Sequence, residues 1–229
     1  MPEEAFKHKL AAILSADAVG YSRLMTEDEV ATIRTLAACR DKINTHVHGN
    51  RGRVVDFVGD NMLAEFSSAL DAVDCAVKIQ QTLERFNAKL EQNRRMQFRI
   101  GIDLGEVLID KEVIYGDGVN IASRLEGLAE PGGICISEFV YSQVHSKLSI
   151  GFVDVGTKKL KNFSTPVKVY KVIEQKTKAP TLITGAVPDQ EISLSLPNKP
   201  SLAVLPFANL SADSEQDYFS DGLTMDIMT

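Results

Sequence analysis

Four polar residues stand where they could do chemistry: Asp17, Asp60, Asn120 and Arg124. Asp17 closes the apolar run KLAAILSAD, which reads as a central strand presenting a carboxylate at its C-terminal end. Asp60 follows Gly59 at the tip of RVVDFVGDNMLAEF, two β-rich arms joined by a tight turn. Two carboxylates from separate strands make a sparse oxygen site. That suits Mg²⁺, which keeps several waters and takes further ligands from substrate phosphates. Asn120 and Arg124 lie four residues apart in YGDGVNIASR, a glycine-rich helix start, and so share a helix face. An amide and a guanidinium facing one way can hold a polyphosphate and the charge that develops on it. Each feature alone has a plainer reading. Gly-Asp is an ordinary hairpin tip, and Asn120 with Arg124 is an ordinary polar stripe, the arginine paired to a local carboxylate.

The elements that must position these groups follow in order. After Asp17, residues 19–22 read as a loop. Thr26 and Glu29 form a capping box for a helix with Val30, Ile33, Leu36, Ala37 and Ile43 on one face, ending near Gly49-Asn50. The hairpin around Gly59-Asp60 comes next. Ser67 or Ser68 then caps a second long helix with Leu70, Val73, Val77, Leu83, Phe86 and Leu90 in register. Residues 97–103 and 106–109 read as a strand pair turning at Leu104-Gly105. A third helix runs from Asp117 or Val119 to Ala129 and is ended by Pro131-Gly132-Gly133. Residues 134–137 read as a buried strand, and 152–155 and 167–172 as edge strands. This order predicts an α+β sandwich of the ferredoxin-like kind, a mostly antiparallel sheet with two long helices on one face.

Composition narrows the partners. A net charge of −6 argues against nucleic acid or an anionic membrane as the main partner. Three scattered cysteines in apolar surroundings read as small buried hydrophobes in a reducing compartment. The longest apolar runs fall well below the roughly 18 residues of a membrane span, and MPEEAFKHKL lacks a signal-peptide core, so a cytoplasmic location is expected.

Taken together, LSADAVGYSRLM, VGDNMLAEF, FRIGIDLGEVL, YGDGVNIASRLEGLAEPGGICIS and GTKKLKNFSTPVKVYKV resemble the class III nucleotidyl cyclases, the adenylyl and guanylyl cyclase catalytic domains. The resemblance spans about residues 9–172. It implies a homodimer with composite active sites at the subunit interface, acting in intracellular signal transduction on ATP, with GTP as the less favoured alternative. Asp17 and Asp60 would hold two Mg²⁺ or Mn²⁺ per site. Asn120 would orient the ribose and Arg124 would stabilise charge on the α-phosphate, both toward a substrate held largely by the partner. Ala18, Val19, Gly20 and Tyr21 would offer backbone groups to metals and phosphates.

Two positions depart from the family pattern. Adenylyl cyclases carry a lysine four residues before the second aspartate, where this chain has Asp56, and an aspartate three residues before the glycine matching Gly116, where it has Val113. These are the base-reading positions. An ionised Asp56 only accepts hydrogen bonds, and Val113 contributes only shape. Guanylyl cyclases also place an acid, glutamate, at the lysine position, so these residues leave the base open. They also support a second hypothesis, a catalytically degenerate cyclase-like nucleotide-binding or dimerisation module that regulates a missing C-terminal region.

The cyclase domain is expected over 1–174, with a proline-bearing linker over 175–199. From residue 200, PSLAVLPFANL and DYFSDGLTMDI resemble the opening of a TolB-amino-terminal-like domain. About 30 residues cannot close a core. Because the chain stops at Thr229 inside a helical pattern, a fragment of a longer protein is expected.

Overall fold

A computed structural model describes residues 7–110, 113–163 and 165–173. The 175–199 linker and the 200–229 segment lie outside the described residues. The elements are β1 (Lys7–Ala18), α1 (Tyr21–Glu27), α2 (Glu29–Gly49), β2 (Gly52–Val58), β3 (Asn61–Phe66), α3 (Ala69–Asn87), β4 (Phe98–Asp110), β5 (Val113–Tyr115), α4 (Asp117–Leu128), β6 (Ile134–Ser137), α5 (Glu138–Val144), β7 (Gly151–Lys158) and β8 (Val167–Ile173). The strands form one sheet in the order β2-β3-β1-β4-β6-β8-β7, with β5 paired to β4. All pairings are antiparallel except β4 with β6.

Side-chain alternation divides the sheet into two faces. Ala12, Leu14 and Ala16 of β1 join Phe98, Ile100 and Ile102 of β4 beneath α2, α3 and α5, forming the main core. Ala11 and Ile13 point the other way, against Ala122 of α4. The expected α+β sandwich is present, with its two long helices on one face. α4 is the helix on the opposite face, the one that also displays Asp17. Its close approach depends on Gly101: a Cβ there would lie 2.1 Å from the Ala122 carbonyl oxygen and 2.2 Å from the Glu126 nitrogen.

Several boundaries differ from the sequence reading. Leu104-Gly105 is not a turn, because β4 continues through it in register with β1, from Ala18↔Phe98 to Lys7↔Ile109. The antiparallel partner that follows β4 is β5, in register from Leu108↔Tyr115 to Asp110↔Val113. Residues 19–22 are not wholly loop, since α1 starts at Tyr21. Thr26 is not the cap of α2. Its hydroxyl donates to the Ser22 carbonyl within α1, and Asp28 caps α2 by accepting from the Ala31 N–H. Consequently α2 buries Thr32, Thr35, Leu36, Cys39, Ile43 and Val47, while Val30 and Ile33 are exposed. β8 is an internal strand between β6 and β7 rather than an edge.

The three cysteines are buried, and burial pushes Cys39 and Cys75 up to about 12 and Cys135 up to about 11. They act as small hydrophobes. Among the described residues, no helix is long and apolar enough to cross a membrane.

Candidate active site

Strand register brings the two aspartates together. Asp17, near the end of β1, pairs across to Asn61 at the start of β3, and Asp60 is the turn residue just before Asn61. The turn is held from outside the sheet. Gly59 takes a left-handed conformation (φ 58°), its carbonyl accepts from the Arg40 guanidinium of α2, and that guanidinium also lies 5.0 Å from the Phe57 ring. Burial raises the Asp60 carboxyl above its ordinary range and its own backbone N–H opposes. The neighbouring Asp17 raises it further through charge and hydrogen bonding, while Arg40 lowers it. Among the described residues no group of three or more His, Cys, Asp or Glu is arranged to hold a metal. Asp17 and Asp60 offer two neighbouring carboxylates, a pair whose chemistry fits a hard cation that keeps waters and substrate oxygens.

On the other side of β1, Arg99 of β4 is directly opposite Asp17, and its guanidinium meets the Asp17 carboxylate at 2.8 Å. The same nitrogen is 3.4 Å from Glu126 of α4. Glu126 is buried. Burial and the Asp17 charge, opposed by Arg99, push it up to about 7, with Asp60 adding to the rise and a Ser15 hydrogen bond opposing it. The Arg99 Nε is buried without a hydrogen-bond partner.

The sequence reading missed Arg99, Glu126, Ser15 and Arg40. For Arg99 a signal existed. Phe98, Ile100 and Ile102 alternate apolar, which turns Arg99 to the Asp17 face once β1 and β4 are paired antiparallel. Glu126 follows Leu125 on the buried side of α4, where an acid is out of place without a partner. Arg40 gave no signal, because its contact depends on how α2 crosses the sheet.

Asn120 and Arg124 share one exposed side of α4. The Asn120 amide donates to the Gly116 carbonyl at 3.5 Å. Neither residue joins the Asp17–Asp60–Arg99–Glu126 cluster, although Glu126 is on the same helix. One helix thus turns Glu126 inward to its own carboxylates and Asn120 and Arg124 outward.

Of the expected phosphate loop, Ala18 belongs to β1, Tyr21 opens α1, and Gly20 takes a left-handed φ of 70°. The Val19 N–H is engaged with the Gln97 carbonyl at 2.8 Å. A β-bulge after Val54 sets Asp56 opposite Leu63, placing it on the sheet face that carries Asp17. Unbroken alternation counted from Val54 would point it toward the long helices. Val113 on β5 is 48% exposed, open to whatever covers that hairpin.

A family model for the adenylate and guanylate cyclase catalytic domain matches residues 4–175. The adenylate/guanylate cyclase/hydrolase of Silicibacter pomeroyi is similar at 37% identity and a TM-score of 0.69, over 74% of this chain and 99% of that one. The adenylyl cyclase CyaB of P. aeruginosa, 24% identical, has a TM-score of 0.67 over 76% of this chain and 98% of its own, a likeness of fold. A Rhizobium meliloti (strain 1021) protein named "Putative adenylate cyclase 3" is 43% identical across 100% of this chain, which spans 38% of that relative's length.

Proposed function

Because the chain belongs to the adenylate and guanylate cyclase catalytic domain family, we propose that it is a nucleotidyl cyclase working as a homodimer. It converts ATP, with GTP as the alternative substrate, to the 3′,5′-cyclic nucleotide and pyrophosphate in intracellular signalling. The observation that carries this reading is the split of the functional groups. Asp17 and Asp60 meet on one strand end, whereas Asn120 and Arg124 face solvent on α4, outside that cluster. A site divided in this way is completed by a second copy of the chain, each copy giving carboxylates to one site and α4 to the other.

In this reading Asp17 and Asp60 hold two Mg²⁺ or Mn²⁺ ions. When bound, the ions supply activation of the ribose 3′-hydroxyl and neutralisation of the triphosphate. The residues of the chain do the rest. Asn120 of the partner copy fixes the ribose so that the 3′-oxygen lies in line with the bond between the α-phosphorus and the leaving pyrophosphate. Arg124 of the same copy places its guanidinium on the α-phosphate oxygens, where charge accumulates as the 3′-oxygen–phosphorus bond forms and the pyrophosphate bond breaks. The turn at Gly59, held by Arg40, fixes Asp60 without a contact to substrate.

Base choice rests on Asp56 and Val113. An acceptor at Asp56 suits the adenine amino group or the N–H edge of guanine, and discrimination is weak when a pocket offers few polar partners. Product formation from ATP and from GTP, each with Mg²⁺ and with Mn²⁺, tests the reading, with Asp60→Ala as control. Cyclic product lost in the variant supports the enzyme and names the base. No product from a confirmed dimer supports the regulatory module.

A further inference from the structure

The cluster behind Asp17 is unbalanced in charge. Asp17 and Glu126 share the one guanidinium of Arg99, while the cation that acts on Asp60, the third carboxyl of the cluster, is Arg40. Arg99 divides one nitrogen between two of them, at 2.8 Å to Asp17 and 3.4 Å to Glu126, while its buried Nε has no partner. An ion pair with Asp17 competes with any dication for that carboxylate. A buried acid left without a cation is costly, and so is a buried guanidinium left without an acid. The side chain therefore needs a second carboxylate within reach if Asp17 is to be given up to a metal.

Glu126 meets that need. It is 5% exposed and carried on a helix seated directly on Gly101. Its contact with Arg99 is long for a charge-assisted bond, so it can shorten when the pull of Asp17 is neutralised. We propose that Glu126 is a positioning residue that receives the Arg99 guanidinium when a divalent cation takes Asp17, so that the part-buried Arg99 leaves the metal centre without becoming an unpaired charge. This deepens the cyclase reading and rests on Asp17 and Asp60 as the metal ligands.

The test is Mn²⁺ binding to the nucleotide-free full chain, with free ion followed by electron paramagnetic resonance, in wild type, Glu126→Gln, Arg99→Gln and the double variant. Losing one charge-assisted partner weakens Mn²⁺ binding by about tenfold in Glu126→Gln. Arg99→Gln tightens binding, because the competing cation is gone. In that background Glu126→Gln changes binding less than about twofold, since no guanidinium remains to be relocated. An equal loss in both backgrounds overturns the proposal, because Glu126 then acts by its own field. No loss in either overturns it as well. Asp60→Ala separates the two readings: Mn²⁺ binding that survives this change removes the metal centre itself. Should Glu126→Gln fail to fold, Glu126→Asp keeps the charge and shortens its reach to Arg99. Weakened binding at intact fold then supports the proposal, and unchanged binding contradicts it.

Discussion

Asp17 and Arg99 lie opposite each other on the two central antiparallel strands and are joined by a 2.8 Å ion pair. The residue expected to hold a metal is thus already neutralised in the folded chain. Arg99 is in turn shared with Glu126, on the helix whose other side displays Asn120 and Arg124. The consequences can be measured separately.

Arg124 is exposed and outside the carboxylate cluster, so its loss should leave the fold alone and strike the chemical step. Arg124→Ala is expected to lower kcat about 10²–10³-fold with KM little changed. Its unfolding free energy should stay within about 0.5 kcal/mol of wild type. Steady-state kinetics alongside urea unfolding checks both.

Glu126 makes stability depend on pH. Its carboxyl is lifted from 4.5 to about 7, by burial first. A carboxyl raised on folding holds its proton more tightly in the native state. Its stabilising contribution is fully present below 4.5 and is lost as pH rises through about 7. Metal-free protein in chelator should therefore lose stability across that window, and Glu126→Gln should show a shallower slope. Asp60 and Asp103, also raised by burial, act in the same direction from lower pH. The difference between wild type and variant is the quantity to read by urea unfolding.

Gly101 sets how closely α4 sits on the sheet. In Gly101→Ala the new methyl meets backbone, not a flexible side chain, at 2.1 Å and 2.2 Å. The expected cost is about 1–3 kcal/mol in urea unfolding. Activity should fall further than stability accounts for, because α4 carries Arg124 and Glu126 together.

Asp56, paired with Leu63 just past the bulge after Val54, faces the Asp17 side of the sheet. If it reads the base, Asp56→Lys should raise the ratio of kcat/KM for ATP over GTP by about tenfold. An unchanged ratio would assign Asp56 to the solvated surface.

What was legible in the sequence was mostly local. The run ending in Asp17, the Gly59-Asp60 hairpin and the helix bearing Asn120 and Arg124 each announce themselves in a few residues, and all three are present. Gly105 misled, because a glycine beside a leucine inside an apolar strand looks like a turn, while the long pairing of β1 with β4 that carries the strand through it is a non-local property. Thr26 with Glu29 matched a capping box, yet Asp28 caps α2 and its buried face is rotated toward Thr32 and Thr35. Arg99, Glu126 and Arg40 were hidden for the same reason. Their roles arise from register and helix seating, which bring together residues far apart in the chain.

The central claim is that each active site is shared between two copies of the chain. Mixing an Asp17→Ala chain with an Arg124→Ala chain tests it most directly. In a heterodimer of the two, one site carries both lesions and the other is intact. Random mixing should restore about a quarter of wild-type specific activity, while each variant alone stays inactive. No recovery, with heterodimers shown to form, would contradict a composite site.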